Sequence, residues 1–327
     1  MWTSDGGGGK TWWLDNERIL FPSNEKLVPG GGPTKMMVWN LFTGRVEPSP
    51  LTSVICAREG QVFFARRDNA TNRVTYYRGP LENPREYPPH GPDMRFDERF
   101  DCGWAPKNTR ANVPYRVNLK GENYLEVRKA DPEQGVWPRE TFGKQHFKQA
   151  NSCFDKTTFG GPILQTVFYI HRAGEKGFEL PFQLGGWNGY DLEYVEWRKA
   201  YLVKPDQYYV DKQLRLWWLE RNGNIQEEPL PDKLPFPSAG GIDFHPVKKG
   251  IFVSYNGGSL SDSDGGYLIR EGKVERVIKH MVHKLAVSPD GCRVVFEHAR
   301  NTNEYYSQKM PYRTLKIIDF CQGGTKR

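Results

Sequence analysis

Few residues of this 327-residue chain have the spacing that known chemical motifs require. The segment from Gly6 to Thr11 reads GGGGKT, but a phosphate-binding loop needs another glycine five positions before Gly9, where Ser4 stands. The residues after Thr11 are predicted to form a strand, not the helix whose N-terminus would hold phosphate. The chain contains no Gly-x-Ser-x-Gly and no cysteine-nucleophile signature. The sequence therefore predicts no phosphate loop and assigns no catalytic nucleophile.

The candidate metal ligands are scattered as well. Of the seven histidines only His280 and His283 are close, and residues three apart point to opposite faces of a strand. The segment 262–266, DSDGG, lacks the distal glutamate of a calcium-binding EF-hand loop and is interpreted as a turn. We therefore expect no metal and no cofactor. The cysteines have no CxxC pair, so they favour buried free thiols, with one structural disulfide as the alternative: Cys56, Cys102, Cys153, Cys292 and Cys321.

The charge of the chain is moderately basic and unevenly distributed. The net charge is +7, and residues 248–327 contain 14 Lys and Arg against 8 Asp and Glu. A solvated surface accounts for this excess, because no nucleic-acid signature accompanies it. No apolar segment is long enough to cross a membrane. The N-terminus lacks signal-peptide features, so we expect a soluble protein that is cytoplasmic, or periplasmic or secreted if a leader was removed.

The elements that would position a site are short strands. Segments such as VFFA, IFVS, RVVF and RLWWL are β-branched or aromatic and bounded by turn residues. The pairs Asn222–Gly223, Glu271–Gly272 and Asp290–Gly291 are typical of hairpin turns, because glycine tolerates a positive φ. Helical periodicity is nearly absent. These features predict an all-β protein.

A repeat of roughly 45 residues organises these strands, and such a period is typical of propeller blades. We therefore predict a flexible leader at 1–10 and a single β-propeller at 11–324. A β-sandwich is the alternative architecture. Seven four-stranded blades are expected, with six or eight as the other counts, and region 96–184 is irregular. The last repeat lacks an evident fourth strand, so residues before Thr11 are candidates for closing the ring. The predicted blades are 11–50, 51–91, 96–143, 148–184, 185–232, 238–280 and 281–324.

The last repeats resemble a known family. VSPDGCRVVFEHARN at 287–301, followed by TLKIIDF, resembles the repeat of TolB-like (PD40) propellers. IDFHPVKKGIFVSYNGG at 242–258 is similar, with Pro-Val-Lys-Lys-Gly in place of Pro-Asp-Gly, and MMVWNLFTGRV at 36–46 is similar to a strand and turn of WD40 blades. The resemblance covers about half of the chain. It implies a fold and not an activity, because propellers include scaffolds, binders and enzymes.

Propeller ligands bind at the axial funnel, near the start of each inner strand and on the connections between blades. GGWNGYD at 185–191 combines glycines, aromatic rings and amides, which suits a carbohydrate or a peptide. His245, in a Phe-His-Pro turn, is interpreted as structural. The ligand-binding candidates are Trp12, Asp101, Trp104, Trp187, Asn188, Tyr190, Asp191, Asp243 and His283.

Three functions are consistent with these observations. The leading hypothesis is a non-catalytic binding module that engages a protein or a polymer such as a polysaccharide on its rim or axial face. The second is a propeller enzyme of the lactonase, lyase or glycosidase type, whose residues converge on the axis. The third is a glycan-binding protein that uses Trp187. A central cluster of carboxylates and histidines would favour the enzyme, whereas an axis filled by apolar side chains would exclude it.

Overall fold

The computed structural model describes 13 main parts of the chain. They are 11–23, 35–50, most of 51–87, 115–118, 124–129, 166–171, 178–179, 190–205, 216–231, 234–236, 241–257, 262–300 and 314–322. Within these residues every paired strand is antiparallel, and no helix is long and apolar enough to cross a membrane. The predicted leader, 1–10, lies outside the described residues.

The described strands form six sheets, each a simple meander in chain order. The first sheet contains β1 (Trp12–Trp13), β2 (Arg18–Ser23), β3 (Lys35–Asn40) and β4 (Val46–Pro48). The second contains β5 (Cys56–Arg58), β6 (Gln61–Arg67), β7 (Val74–Pro80) and β8 (Arg85–Tyr87). The third sheet contains β9 (Tyr115–Asn118), β10 (Tyr124–Lys129), β11 (Thr166–His171) and β12 (Phe178–Glu179). The fourth contains β13 (Tyr190–Val195), β14 (Ala200–Pro205), β15 (Leu216–Glu220) and β16 (Ile225–Glu228). The fifth sheet contains β17 (Gly241–Val247), β18 (Gly250–Asn256), β19 (Gly265–Arg270) and β20 (Lys273–Lys279). The sixth contains β21 (Met281–Val287), β22 (Arg293–Ala299) and β23 (Thr314–Asp319).

Repeated four-stranded meanders that pack face to face make the architecture a β-propeller, as predicted. The number of blades differs from the seven expected: the described residues contain five four-stranded blades and one three-stranded sheet. The difference arises in the irregular region. There β10 pairs with β11, with Lys129 opposite Thr166, so strands assigned to two predicted blades share one sheet. Among the described residues each of those segments supplies two strands, and pairing them completes a blade of four.

Layers of apolar side chains hold neighbouring blades together. Phe252 of β18 packs in one layer with Val294 and Phe296 of β22. Phe21 of β2 packs with Val295 in another, which joins the first sheet to the last. Burying a side chain of this size contributes about 2 kcal/mol. The contact between first and last sheets closes this side of the propeller; a contribution from residues before Thr11 stays a prediction.

The three glycine-containing turns lie in hairpins, as the sequence predicted. Glu271 and Gly272 have φ angles of 51° and 71° between β19 and β20. Two consecutive positive φ angles define a type I′ turn, whose twist matches that of the paired strands. Gly223 and Gly291 also have positive φ angles, of 88° and 71°.

A disulfide between Cys292 and Cys321 ties the start of β22 to the end of β23. The expectation of free thiols is therefore wrong for these two residues, because antiparallel pairing of β22 with β23 brings their Cα atoms within 5.2 Å. Cys56 is disulfide-bonded as well, so the expectation of a free thiol is also wrong for this residue. Beside the Cys292–Cys321 bond, Arg293 Nε donates to Asp319 Oδ2 at 2.9 Å. A covalent bond and an ion pair thus join the start of β22 to the end of β23.

Candidate functional site

A cavity of about 350 Å³ lies where the first strands of five sheets come together. Its size falls within the range of small-ligand sites. Because these strands are the innermost ones, the cavity lies on the axis of the propeller. Its lining includes Trp12 and Trp13 of β1, Ala57 of β5, Glu193 of β13, Asp243 and His245 of β17, and His283 of β21.

The structure brings three of the predicted site residues together around this cavity: Trp12, Asp243 and His283. Two others, Tyr190 and Asp191, begin β13, the strand that contributes Glu193 to the wall. The remaining candidates, Asp101, Trp104, Trp187 and Asn188, lie outside the described residues.

A buried lysine links two blades beside the cavity. Lys204, on β14, donates to Asp243 Oδ1 at 2.8 Å and to the carbonyl oxygen of Phe244 at 2.9 Å. Its Nζ also lies 2.9 Å from Glu193 Oε2, an ion-pair contact rather than an aligned hydrogen bond. The ammonium therefore makes two hydrogen bonds and one further ion-pair contact. This arrangement holds Glu193 and Asp243 in place on adjacent blades.

Asp243 is held in its ionised form. Burial by itself would raise the pKa of Asp243, but the charges and hydrogen bonds of His245 and Lys204 outweigh it and bring the pKa far below its usual value. The Nε2 atom of His245 lies 3.2 Å from Asp243 Oδ2. Because Asp243 and His245 are two apart on β17, they lie on the same face of the strand. His245 therefore contributes to the cavity, which the sequence interpretation as a structural residue did not foresee.

A bulge in β21 shapes another part of the cavity wall. The register of β21 against β22 shifts between His283 and Ala286, and Lys284 has a φ of 46°. A β-bulge interrupts the usual alternation of side chains and redirects them. Here the consecutive residues His283, Lys284 and Leu285 all line the cavity. Left-handed backbone at a lysine costs about 1 kcal/mol, so this strain is concentrated at the cavity wall.

The bulged lysine is paired with a carboxylate of the interior. Lys284 Nζ lies 3.1 Å from Glu297 Oε1, and Glu297 on β22 is fully buried. The sequence analysis missed Glu193, Lys204, Lys284 and Glu297, since their partners lie on other strands or blades. Only the spacing of Asp243 and His245, two residues apart on one strand, could have indicated from sequence alone that two site residues share a face.

The surroundings of Asp243 and Lys204 limit the chemistry that these two side chains can perform. A general base must have a pKa near the operating pH, and that of Asp243 lies far below it. Lys204 is surrounded by acceptors, so it does not offer the free amine of a nucleophile. Among the residues that the structure describes, no group of three or more His, Cys, Asp or Glu side chains could hold a metal ion.

Comparison with known proteins identifies no family. No family model matches the chain. No curated protein matches it either. The resemblance to TolB-like and WD40 repeats therefore remains a resemblance in sequence.

Solved structures with low similarity include peptidases that contain propellers. An acylaminoacyl peptidase in complex with Z-Gly-Gly-Phe-chloromethyl ketone is 12% identical over 91% of this chain and 43% of its own, with a TM-score of 0.33. The β-propeller domain of the trilobed protease from Pyrococcus furiosus is 11% identical over 88% of this chain and 79% of its own, with a TM-score of 0.32. The tricorn protease is 11% identical over 86% of this chain and 23% of its own, with a TM-score of 0.27. These values do not bear on what the protein does.

Proposed function

We propose that the protein is a binding module without chemistry of its own, and that its ligand, or one group of a larger partner, enters the axial cavity. The observation that supports this proposal is the network around Lys204, in which charged groups of two blades are held against each other. Such preorganised polar groups in a cavity give orientation and specificity to a ligand. A protein or polymer partner would use the surrounding axial face as well.

The propeller enzyme stays the second candidate, because one cavity brings together Asp243, His245 and His283. A central cluster of carboxylates and histidines is what that hypothesis requires. The low pKa of Asp243 argues against this residue as the general base of such an enzyme. The glycan-binding role of Trp187 stays a prediction, since that residue lies outside the described part of the chain.

A ligand-detected NMR screen with small neutral, cationic and anionic fragments and simple sugars tests the proposal. Ser254 lines the cavity, so Ser254→Leu should fill part of it, whereas Ala70→Leu introduces the same side chain at an exposed turn. We expect fragments that bind the native protein to lose at least tenfold in affinity with Ser254→Leu and to be unaffected by Ala70→Leu. Thermal unfolding confirms that both variants fold.

Two results would overturn the proposal. Either no fragment binds, or Ser254→Leu leaves the affinity of every binder unchanged in a folded protein. Turnover of a lactone or a glycan by the native protein, lost in His283→Asn, would replace the binding module by the enzyme.

A further inference from the structure

We infer that the axial cavity receives a positively charged group, an amine or a guanidinium. This inference rests on the proposed function, because it specifies the ligand of the same cavity. Three features support it: the charges that face the cavity, a buried hydroxyl group in its wall and the aromatic rings beside them.

The carboxylates of the cavity are more accessible than its ammonium groups. The side chains of Asp243 and Glu193 are 33% and 21% exposed, whereas those of Lys284 and Lys204 are 14% and 6% exposed. An incoming ligand therefore meets negative charge first. Since charge complementarity directs association, a cation is favoured and an anion is disfavoured.

The ammonium groups do not neutralise these carboxylates completely. Lys204 is shared between Glu193 and Asp243, and His245 lies next to Asp243 alone. The charge of Lys284 is matched by Glu297, which is fully buried. Glu196 adds another carboxylate to the lining. Four carboxylates, those of Glu193, Glu196, Asp243 and Glu297, thus face three cations when His245 is counted with Lys204 and Lys284. Carboxylates are in excess here although the net charge of the protein is +7.

An independent observation is the hydroxyl group of Thr11. Thr11 lines the cavity and is only 4% exposed, and its Oγ1 has no hydrogen-bond partner among the residues that the structure describes. A buried polar atom without a partner is uncommon in native proteins and calls for a physical explanation. A hydroxyl both donates and accepts, so this atom indicates a polar ligand group in the cavity, and the ammonium or guanidinium that the carboxylates favour would donate to it.

Indole rings form the apolar part of the same wall. Trp13 donates its Nε1–H to the carbonyl oxygen of Ala286 at 3.0 Å, and Trp197 donates to that of Pro246 at 3.4 Å. These hydrogen bonds fix the rings, which line the cavity together with Trp12. Tryptophan next to carboxylates is a favourable environment for an organic cation, because the ring faces are electron-rich.

Isothermal titration calorimetry with matched probes tests the inference. Butylguanidinium and its neutral isostere butylurea have nearly the same size and shape but differ in charge and in one NH2 group, which is an oxygen in the urea. The blocked tripeptides Gly-Arg-Gly and Gly-citrulline-Gly differ in the same way. We expect the cations to bind at least tenfold more tightly than their neutral isosteres. Binding of butylguanidinium alone would indicate a free small amine, whereas binding of the arginine peptide would indicate a side chain of a protein partner.

Variants assign the binding to the carboxylates. Glu193→Gln and Asp243→Asn should each weaken cation binding at least tenfold, and Glu193→Gln keeps the test valid if Asp243→Asn fails to fold. Glu227→Gln removes an exposed carboxylate from β16 of the same sheet and should leave binding unchanged.

The inference and the proposed function fail in different ways. If neutral or anionic fragments bind the cavity, lose affinity in Ser254→Leu, and no cation competes, the charge assignment is overturned and the binding cavity stands. Equal affinity for butylurea and butylguanidinium would likewise overturn the charge assignment and leave the binding cavity standing. If no probe of any charge binds, both are overturned.

Discussion

The indole of Trp197 lies so close to Gly291 that a Cβ atom at Gly291 would overlap with Cδ1 of the ring. Trp197 belongs to the turn between β13 and β14, and Gly291 to the turn between β21 and β22. Trp197 also donates to Pro246, on β17 of the blade between them. One side chain thus connects three consecutive sheets beside the cavity.

Gly291→Ala should therefore destabilise the protein by more than backbone strain explains. The φ of Gly291 is 71°, which costs an alanine about 1 kcal/mol, and displacing the indole adds about 1–3 kcal/mol. Gly272 is a matched control, because its φ is also 71° and a Cβ there meets nothing within 4 Å. Chemical denaturation of Gly291→Ala and Gly272→Ala measures the difference; equal losses would show that the contact with Trp197 is unimportant.

The pKa of Asp243 predicts how stability depends on pH. Its folded pKa lies far below the unfolded value of about 3.9, so its contribution is complete above about pH 5 and is lost as the pH falls further. Asp243→Asn leaves Lys204 with fewer charged partners, and we expect a loss of about 2 kcal/mol at pH 7.

Denaturation of the native protein and of Asp243→Asn between pH 2 and pH 8 checks this expectation. The difference between the two should be constant at neutral pH and should shrink below about pH 5. Asp262→Asn, in an exposed turn, is the control and should follow the native protein. A difference that grows on acidification would contradict the assignment.

The disulfide between Cys292 and Cys321 should contribute substantially to stability. The two residues are 29 apart in sequence, and closing a loop of this length in the unfolded chain is worth about 3.5 kcal/mol. Replacing both cysteines by alanine should lower the free energy of unfolding by this amount. Differential scanning calorimetry measures the effect, and an unchanged midpoint would mean that hydrogen bonds between β22 and β23 are sufficient.

Local features of the fold were predictable and distant pairings were not. The turn at Glu271–Gly272 could be predicted because its cause, the freedom of glycine at positive φ, lies within the dipeptide. The pairing of Lys129 with Thr166 joins segments far apart in sequence, so the blade count from repeats alone was too high. Likewise Asp243 was found from its place on an inner strand, whereas Lys204 is recognisable only once two blades are packed together.

The hydrogen bond from Trp13 to the carbonyl oxygen of Ala286 should stabilise the junction of the first and last sheets. Trp13→Phe leaves that oxygen without its donor, at a cost of about 1–2 kcal/mol in addition to the lost packing. Trp39→Phe is a matched control, because Trp39 packs in the same apolar layer and its indole makes no hydrogen bond within the described part of the chain. Urea denaturation compares the two. If Trp39→Phe costs as much as Trp13→Phe, then apolar packing alone holds the two sheets together, and the indole hydrogen bond adds nothing.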